Sequence, residues 1–198
     1  MPLILGTNSI KDTGYDVANS LRFNSGSSDS LARTPSSASN RKTFTLSYWV
    51  KRSVLGLGAS GANKSNFGVH ENSSHNFQAM FNADDQIEMK FKIGGANNKL
   101  QTNAKFRDTS AWYHIVLAVD TTDGTASNRF KLYVNGTQTT SFDTASYPNQ
   151  NVNTEVNLDG LSFKVGRSGD DGDTNYFDGY MAEVCMVDGQ ALDPTSFG

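Results

Sequence analysis

The chain has 198 residues and only one cysteine, so no disulfide can close within it. A small secreted scaffold held together by bridges is thereby excluded. Charged residues are also sparse, at 19% of the chain with a formal net charge of −3. Lys and Arg are scattered except in the short clusters "NRKTF" and "VKR". No basic face is available for a phosphate backbone, so nucleic acid is not an expected partner. No run approaches the ~18–20 consecutive apolar residues of a membrane span, and no membrane insertion is expected. The opening "MPLILG" is too short for the core of a signal peptide and has no basic leader. The expectation is a protein made in a cytoplasm and not exported through a cleavable signal. Asn63, Asn72 and Asn135 stand in N-x-S/T triplets, and without such a signal they are expected to be plain surface residues. Helical periodicity is almost absent as well.

What fills the chain is Gly, Ser, Thr and Asn between aromatic and β-branched runs. Aromatics make up 11% of residues, a share that a disordered chain lacks. "FTLSYWVKR" alternates Phe44, Leu46, Tyr48 and Val50 on one side, with Trp49 on the other. "QIEMKFKIGG" sets Ile87, Met89, Phe91 and Ile93 against Glu88, Lys90 and Lys92, the pattern of a half-exposed strand. "AWYHIVLAVD" is apolar on both alternations and is expected to be covered on both faces. "RFKLYVNGTQTTSF" carries Asn135-Gly136, a type I′ hairpin signal because both turn positions need positive φ. "NSLRFN", "NFGVHE", "NFQAMFN", "LSFKVGRSG" and "YFDGYMAEVCMVDG" complete the strand set. Residues 25–42, 53–65 and 143–160 read as loops. Strands separated by turns, without helices between them, predict an all-β fold, an antiparallel two-sheet sandwich or jelly roll. No internal repeat or linker interrupts it, so one domain is expected over 21–198, with residues 1–20 as an N-terminal extension.

The segments "FTLSYWVKR", "AWYHIVLAVD", "FKLYVNGTQ", "FKVGR" and "FDGYMAEVCMVDGQAL" follow one another in an order that resembles laminin-G-like jelly rolls of the concanavalin A-like lectin/glucanase superfamily. The stretch "SLRFNSGSSDSLARTPSSASNRKTFTLSYWVKR" and the ending "FDGYMAEVCMVDGQALDPTSFG" look more narrowly like laminin-G-like domains of marine bacteriophage virion proteins. That resemblance implies two packed sheets, with ligand contacts on the concave sheet or rim loops. It also implies a non-enzymatic virion structural protein, capsid-decorating or tail-associated, with a glycan-binding role in host attachment. Its partners would be other virion proteins and host-surface glycans, and it would be present as a homo-oligomer or in many copies on the particle. A cement module that binds only virion proteins, and a polysaccharide hydrolase, are the alternatives.

Glu183 bears on the hydrolase. It lies inside the apolar run "YMAEVCMV", on the alternation of Met181, Cys185 and Val187, with Tyr180, Ala182, Val184 and Met186 on the other. The glucanase branch resembles E-x-D-x-x-E on one strand, whose alternation places three carboxylates on one face. Around Glu183 the +2 position is Cys185 and the +5 position is Asp188, and none of the other glutamates (Glu71, Glu88, Glu155) fits the pattern. A carboxylate without a partner carries little mechanism, so Glu183 is expected to be structural, in a strand with both faces covered. No G-x-S-x-G elbow is present. His114 and Trp49 are expected to be packed side chains, Trp112 a core or rim residue, and Cys185 a buried thiol. The loop "SGDDGDTNYFDG" gathers Asp170, Asp171, Asp173 and Asp178, hard oxygen ligands that suit Ca²⁺, and Asp84 with Asp85 forms a second acidic turn. Calcium is thus the one cofactor with a candidate site; otherwise none is expected. His70 and His75 stand five apart with no cysteine near, a poor zinc spacing. Sugar binding needs an aromatic face beside planar hydrogen-bonding groups. The candidates are Tyr147, Asn149, Gln150 and Asn151 in the long loop and Asn175 and Tyr176 in the acidic loop.

Overall fold

Residues whose side chains alternate between apolar and polar pair into two antiparallel sheets, with the apolar sides facing each other. The computed structural model describes residues 19–56, 63–170, 172 and 175–198. The strands are β1 (Leu21–Phe23), β2 (Leu31–Arg33), β3 (Thr43–Arg52), β4 (Lys64–Asn72), β5 (His75–Phe81), β6 (Ile87–Ile93), β7 (Ala96–Thr102), β8 (Tyr113–Asp120), β9 (Phe130–Val134), β10 (Thr137–Gln138), β11 (Phe142–Ala145), β12 (Phe163–Val165) and β13 (Gly179–Asp188). One short helix, α1 (Ala126–Arg129), and a 3₁₀ turn at Pro194–Ser196 complete the elements. The six-stranded sheet runs β1-β13-β3-β8-β9-β10 and the seven-stranded sheet β11-β7-β6-β5-β4-β12-β2. This is the jelly-roll sandwich that the sequence pattern predicts.

The core lies between the sheets. Phe44, Leu46, Tyr48 and Val50 of β3 meet Phe67, Phe77, Phe81, Met89 and Phe91 of the other sheet, all fully buried. The Asn135-Gly136 turn forms as expected, with φ of 50° and 78°. β6 alternates buried and half-buried along most of its length, and β8 is buried on both faces from His114 to Val119. Three strands escaped the sequence pattern. β2 lies in a stretch read as loop and is exposed throughout. β7 turns Asn98 and Thr102 inward beside Leu100, so its buried face is two-thirds polar and shows no apolar alternation. β11 is a short edge strand whose pairing with β7 slips between Phe142 and Thr144.

β13 corrects a second expectation. Met181 pairs with Val50 and Ala182 with Trp49, but Cys185 pairs with Ser47 and Met186 with Leu46. Glu183 and Val184 therefore oppose Tyr48 alone, a β-bulge, and Glu183 takes a φ of 46°. The extra residue reverses the alternation, so Met181 before it and Met186 after it both point into the core. The run is apolar on both alternations because its phase switches, not because both faces are covered along its length: Glu183 and Val184 are exposed.

A backbone crossing holds β12 against β4. A Cβ on Gly68 would stand 2.0 Å from the Gly169 nitrogen, and one on Gly169 would stand 2.4 Å from the Val69 carbonyl carbon. The segment 166–170 lies directly on the strand, so neither position has room for a side chain. The Gln78 amide donates to Ser168 Oγ at 3.0 Å and Lys164 Nζ to the Gly169 carbonyl at 2.8 Å, which fasten it there. Gly68→Ala should lower stability by about 1–3 kcal/mol, with backbone protection lost first in 166–170. Urea denaturation and hydrogen exchange measure both; unchanged protection of that segment would contradict the crossing.

Candidate functional site

The outer face of the six-stranded sheet carries a polar and aromatic pocket. β3 alternates, so Thr45, Ser47 and Trp49 point away from the core while Leu46, Tyr48 and Val50 fill it. Register then sets Trp49 opposite His114, and Ser47 between Val116 on one side and Cys185 on the other. The indole of Trp49 stacks on the His114 ring at 4.9 Å with 15° between planes. Ser47 Oγ and His114 Nε2 share a hydrogen bond of 2.9 Å. The chain's last residues fold over this face. Thr45 Oγ1 donates to the Gln190 carbonyl and accepts from the Leu192 N–H, both at 2.7 Å, and the Phe197 ring lies 6.4 Å from His114. The result is a pocket of about 250 Å³ lined by Ser47, Trp49, His114, Glu183, Cys185 and Phe197.

Two features aim the pocket at a ligand. Trp49 Nε1–H is buried and has no hydrogen-bond partner. Glu183, turned outward by the bulge, has no ion pair or hydrogen bond among the described residues. The pocket thus offers an aromatic ring, a hydroxyl and an exposed carboxylate, beside a buried indole N–H that lacks a partner. Trp49 is half-buried here, where the sequence pattern placed it in the core. The expectation that His114 is packed and hydrogen-bonded holds.

The same pocket has the residue types of a nucleophilic site without its activation. Burial lowers the His114 pKa and so favours the neutral imidazole, and among the described residues no carboxylate is hydrogen-bonded to it. The Cys185 thiol is half-buried; burial and then the charge of Glu183 push its pKa up, away from the reactive thiolate. Ser47 therefore has a neighbour that can accept its proton but, among the described residues, no hydrogen-bonded carboxylate to hold the resulting imidazolium.

The residues expected to bind glycan fall into two separate places. Tyr147 is half-buried against the core and lines a hollow of about 230 Å³ with Phe130, Gln138 and Phe142. Gln150 Nε2 donates to the Thr122 carbonyl at 2.8 Å and the Asn151 N–H to the Thr121 carbonyl at 2.7 Å, with Asn151 at φ 63°, so both fasten the loop. Asn149 is exposed. Tyr176 lies under the Arg167 guanidinium at 4.9 Å and bridges to Ser65, while the Asn175 carbonyl accepts from the Ser168 N–H. Tyr147 adjoins β11 and Tyr176 adjoins β4, four strand spacings or about 19 Å across the seven-stranded sheet. The structure does not bring them together. Trp112, expected in the core or rim, is exposed at the start of β8.

Of the acidic loop, Asp171 and Asp173 lie outside the described residues. Asp170 accepts from the Gly172 N–H at 2.9 Å and stands 4.0 Å from His70 Nε2, whereas Asp178 accepts from the Ser25 hydroxyl at 2.9 Å. The second acidic turn is corrected outright for Asp85. Its carboxylate is buried and held by Arg52 and Arg107, both at 2.9 Å, and by the Gly56 N–H at 2.6 Å. A carboxylate saturated by two guanidinium groups is a structural ion pair, not an open cation ligand.

One polar cluster was invisible in the sequence. Glu155 sits in the long loop, where Thr154 bonds to Arg41 and Val156 enters the core. These two anchors carry the glutamate between them into the interior. Its Oε1 lies 2.7 Å from His75 Nδ1, and Glu71 stands beside both. Burial raises the Glu155 carboxyl, and the hydrogen bond and charge of His75 offset this only in part.

Residues 24–195 match a laminin-G family described as the concanavalin A-like lectin/glucanases superfamily. The chain belongs to this superfamily. Solved structures show the same laminin-G-like fold. Domain 4 of an extracellular arabinanase from Geobacillus stearothermophilus, in complex with arabinotriose, matches with TM-score 0.55 and 21% identity over 80% of this chain and 65% of that one. The CBM40 of Ruminococcus gnavus IT-sialidase, bound to α2,3-sialyllactose, matches with TM-score 0.55 and 15% identity over 85% and 93%. Domains LG4-5 of the mouse laminin α1 chain match with TM-score 0.59 and 15% identity over 89% and 44%. The present chain therefore spans just under two thirds of the arabinanase-domain chain and less than half of the laminin one. No curated protein matches the sequence.

Proposed function

We propose that this laminin-G-like chain is a non-catalytic carbohydrate-binding module that takes a sugar ring at the Trp49 pocket. One observation carries the reading: the half-buried Trp49 ring, whose buried N–H lacks a partner, lines a pocket beside Ser47 and the outward carboxylate of Glu183. Sugar faces are apolar and sugar edges polar, and this pocket presents one group for each. At about 250 Å³ it suits a single ring more than a long chain. The fold's occurrence in modules bound to arabinotriose and sialyllactose supports the ligand class. Among the described residues Glu183 has no ion pair or hydrogen bond of its carboxylate, which supports binding over hydrolysis. The biological setting we infer is a bacteriophage virion, capsid-decorating or tail-associated, where many copies make individually weak sites sufficient. It rests on the resemblance of residues 20–52 and the ending of the sequence to such domains.

Soluble protein on a glycan array should give signal, and Trp49→Ala should weaken the best ligand at least tenfold, about 1.4 kcal/mol. Trp49→Phe, which keeps a ring but removes the N–H, should fall between. Equal affinity of all three proteins for that ligand would place binding elsewhere. Exposed Leu21, Leu31 and Val184 around an apolar hollow of about 390 Å³ favour a second reading, cement between virion proteins. A silent array with tight binding to isolated particles would select it.

A further inference from the structure

We propose that Glu71, His75 and Glu155 form a binding site for a divalent transition ion of the zinc type, independent of the sugar pocket. The three side chains offer ligand atoms that all lie within 4.8 Å of one another. Glu71 and His75 flank the β4–β5 turn, and Glu155 comes from a loop 80 residues further on. β4 pairs His70 with Asn76 and then Asn72 with His75, so Glu71 is an extra residue at a bulge. A bulge redirects a side chain, and here it sets Glu71 beside the first residue of the next strand. Glu155 arrives from the long loop, held by Thr154 on Arg41 and by buried Val156.

The second observation concerns Glu155 itself. Its side chain is 1% exposed, and while Oε1 meets His75, Oε2 is buried with no hydrogen-bond partner. A buried carboxylate oxygen left unpaired is costly, and a cation is one of the few groups that satisfies it. The charge agrees. Two ionised carboxylates outweigh the nearby Arg41 guanidinium when the imidazole is neutral, so a bound cation would offset the charge that burial disfavours. An imidazole with two carboxylates favours zinc-like ions; calcium takes oxygen ligands only.

The spacing requires little movement. Tetrahedral zinc, with bonds of about 2.0–2.2 Å, holds its ligand atoms roughly 3.3 Å apart. His75 and Glu155 would open slightly from their present 2.7 Å, and Glu71, which is exposed, would close in. The ion takes the place of the proton now shared by Nδ1 and Oε1. Three protein ligands leave a fourth position for water or a ligand oxygen. The bound ion would tie the β4–β5 turn of the seven-stranded sheet to the loop fastened at Arg41, just before β3 of the other sheet.

The test uses the full chain, stripped with EDTA and dialysed. Titration with Zn²⁺ should show one saturable site per chain by calorimetry. A hundredfold excess over Kd should raise Tm by roughly 5–10 °C, and Ca²⁺ should not. Co²⁺ should develop the visible d–d absorption of a four-coordinate site. Glu71→Gln and His75→Ala should each weaken zinc at least tenfold, while His70→Ala should leave it unchanged. Glu155→Gln should abolish binding, and if it fails to fold, the two other variants decide. No saturable zinc binding in the wild type, or equal affinity in Glu71→Gln, His75→Ala and wild type, would overturn the site.

Discussion

Asp85→Asn is expected to cost about 3–5 kcal/mol of folding stability, because it leaves the Arg52 guanidinium buried without a counter-charge. Arg52 is 1% exposed and has three supports: Asp85 Oδ1 at 2.9 Å, the Phe106 carbonyl at 2.5 Å, and the face of Phe81, 4.5 Å below it. Only the first carries charge. Asparagine keeps the shape of the side chain and tolerates the positive φ of 67° at this position, so the loss reports electrostatics rather than backbone strain. Tm should fall by roughly 6–20 °C. Adding Arg52→Met should recover more than half of the loss, since an apolar side chain of similar length needs no counter-ion. A single-variant cost below about 1 kcal/mol would show that the pair is solvated in solution.

The same pair sets an acid dependence. Burial by itself raises the Asp85 carboxyl, but the hydrogen bonds from Arg107, Gly56 and Arg52 and the Arg52 charge outweigh it and hold the pKa below the usual range. A depressed folded pKa means the contribution is full above the unfolded value of about 3.9 and is lost as pH falls through the folded one. The stability gap between wild type and Asp85→Asn should therefore begin to narrow only below about pH 4 and close once the pH is below the depressed folded pKa, read from urea curves at stepped pH.

Phe91→Ala is expected to cost a similar 3–5 kcal/mol, the range for truncating a buried aromatic. Phe91 is fully buried on β6 and stacks on Phe77 of the neighbouring strand at 4.4 Å. It also meets Phe130 of β9 at 4.6 Å and Phe44 of β3 at 6.3 Å, both in the opposite sheet. Truncation removes the ring on which three others rest and opens a void between the sheets that rigid strands cannot close. Phe91→Leu should cost less than half as much. Chemical denaturation with an unchanged m-value would place the effect in the native core, and a cost for Phe91→Ala under about 1.5 kcal/mol would mean that the sheets collapse onto the gap.

How legible each part was follows from the range over which its cause acts. β6 could be read because Ile87, Met89 and Phe91 alternate with Glu88, Lys90 and Lys92 within seven residues. The Asn135-Gly136 turn could be read because its φ values are a property of two residues. Those local periods, repeated without helices, were sufficient for the all-β sandwich. β7 was not legible, because its inward Asn98 and Thr102 are polar residues whose burial is permitted only by partners elsewhere. The pairing of β13 was not legible either. A bulge is a relation between two strands, and only the register with Ser47 and Trp49 shows that Glu183 is the residue thrown outward.

The candidate sites divide in the same way. Residue chemistry alone pointed to polar loops, and in the structure Gln150 and Asn151 brace their own loop while Tyr147 packs against the core. The Trp49 pocket and the Glu71–His75–Glu155 cluster each draw on segments more than 75 residues apart in sequence, brought together by sheet pairing and by a loop anchored at Val156. Alternation along a strand decides which side of a sheet a residue takes, and that is written locally. Which residues meet across strands depends on register, bulges and chain crossings, and those are set only when the two sheets close on each other.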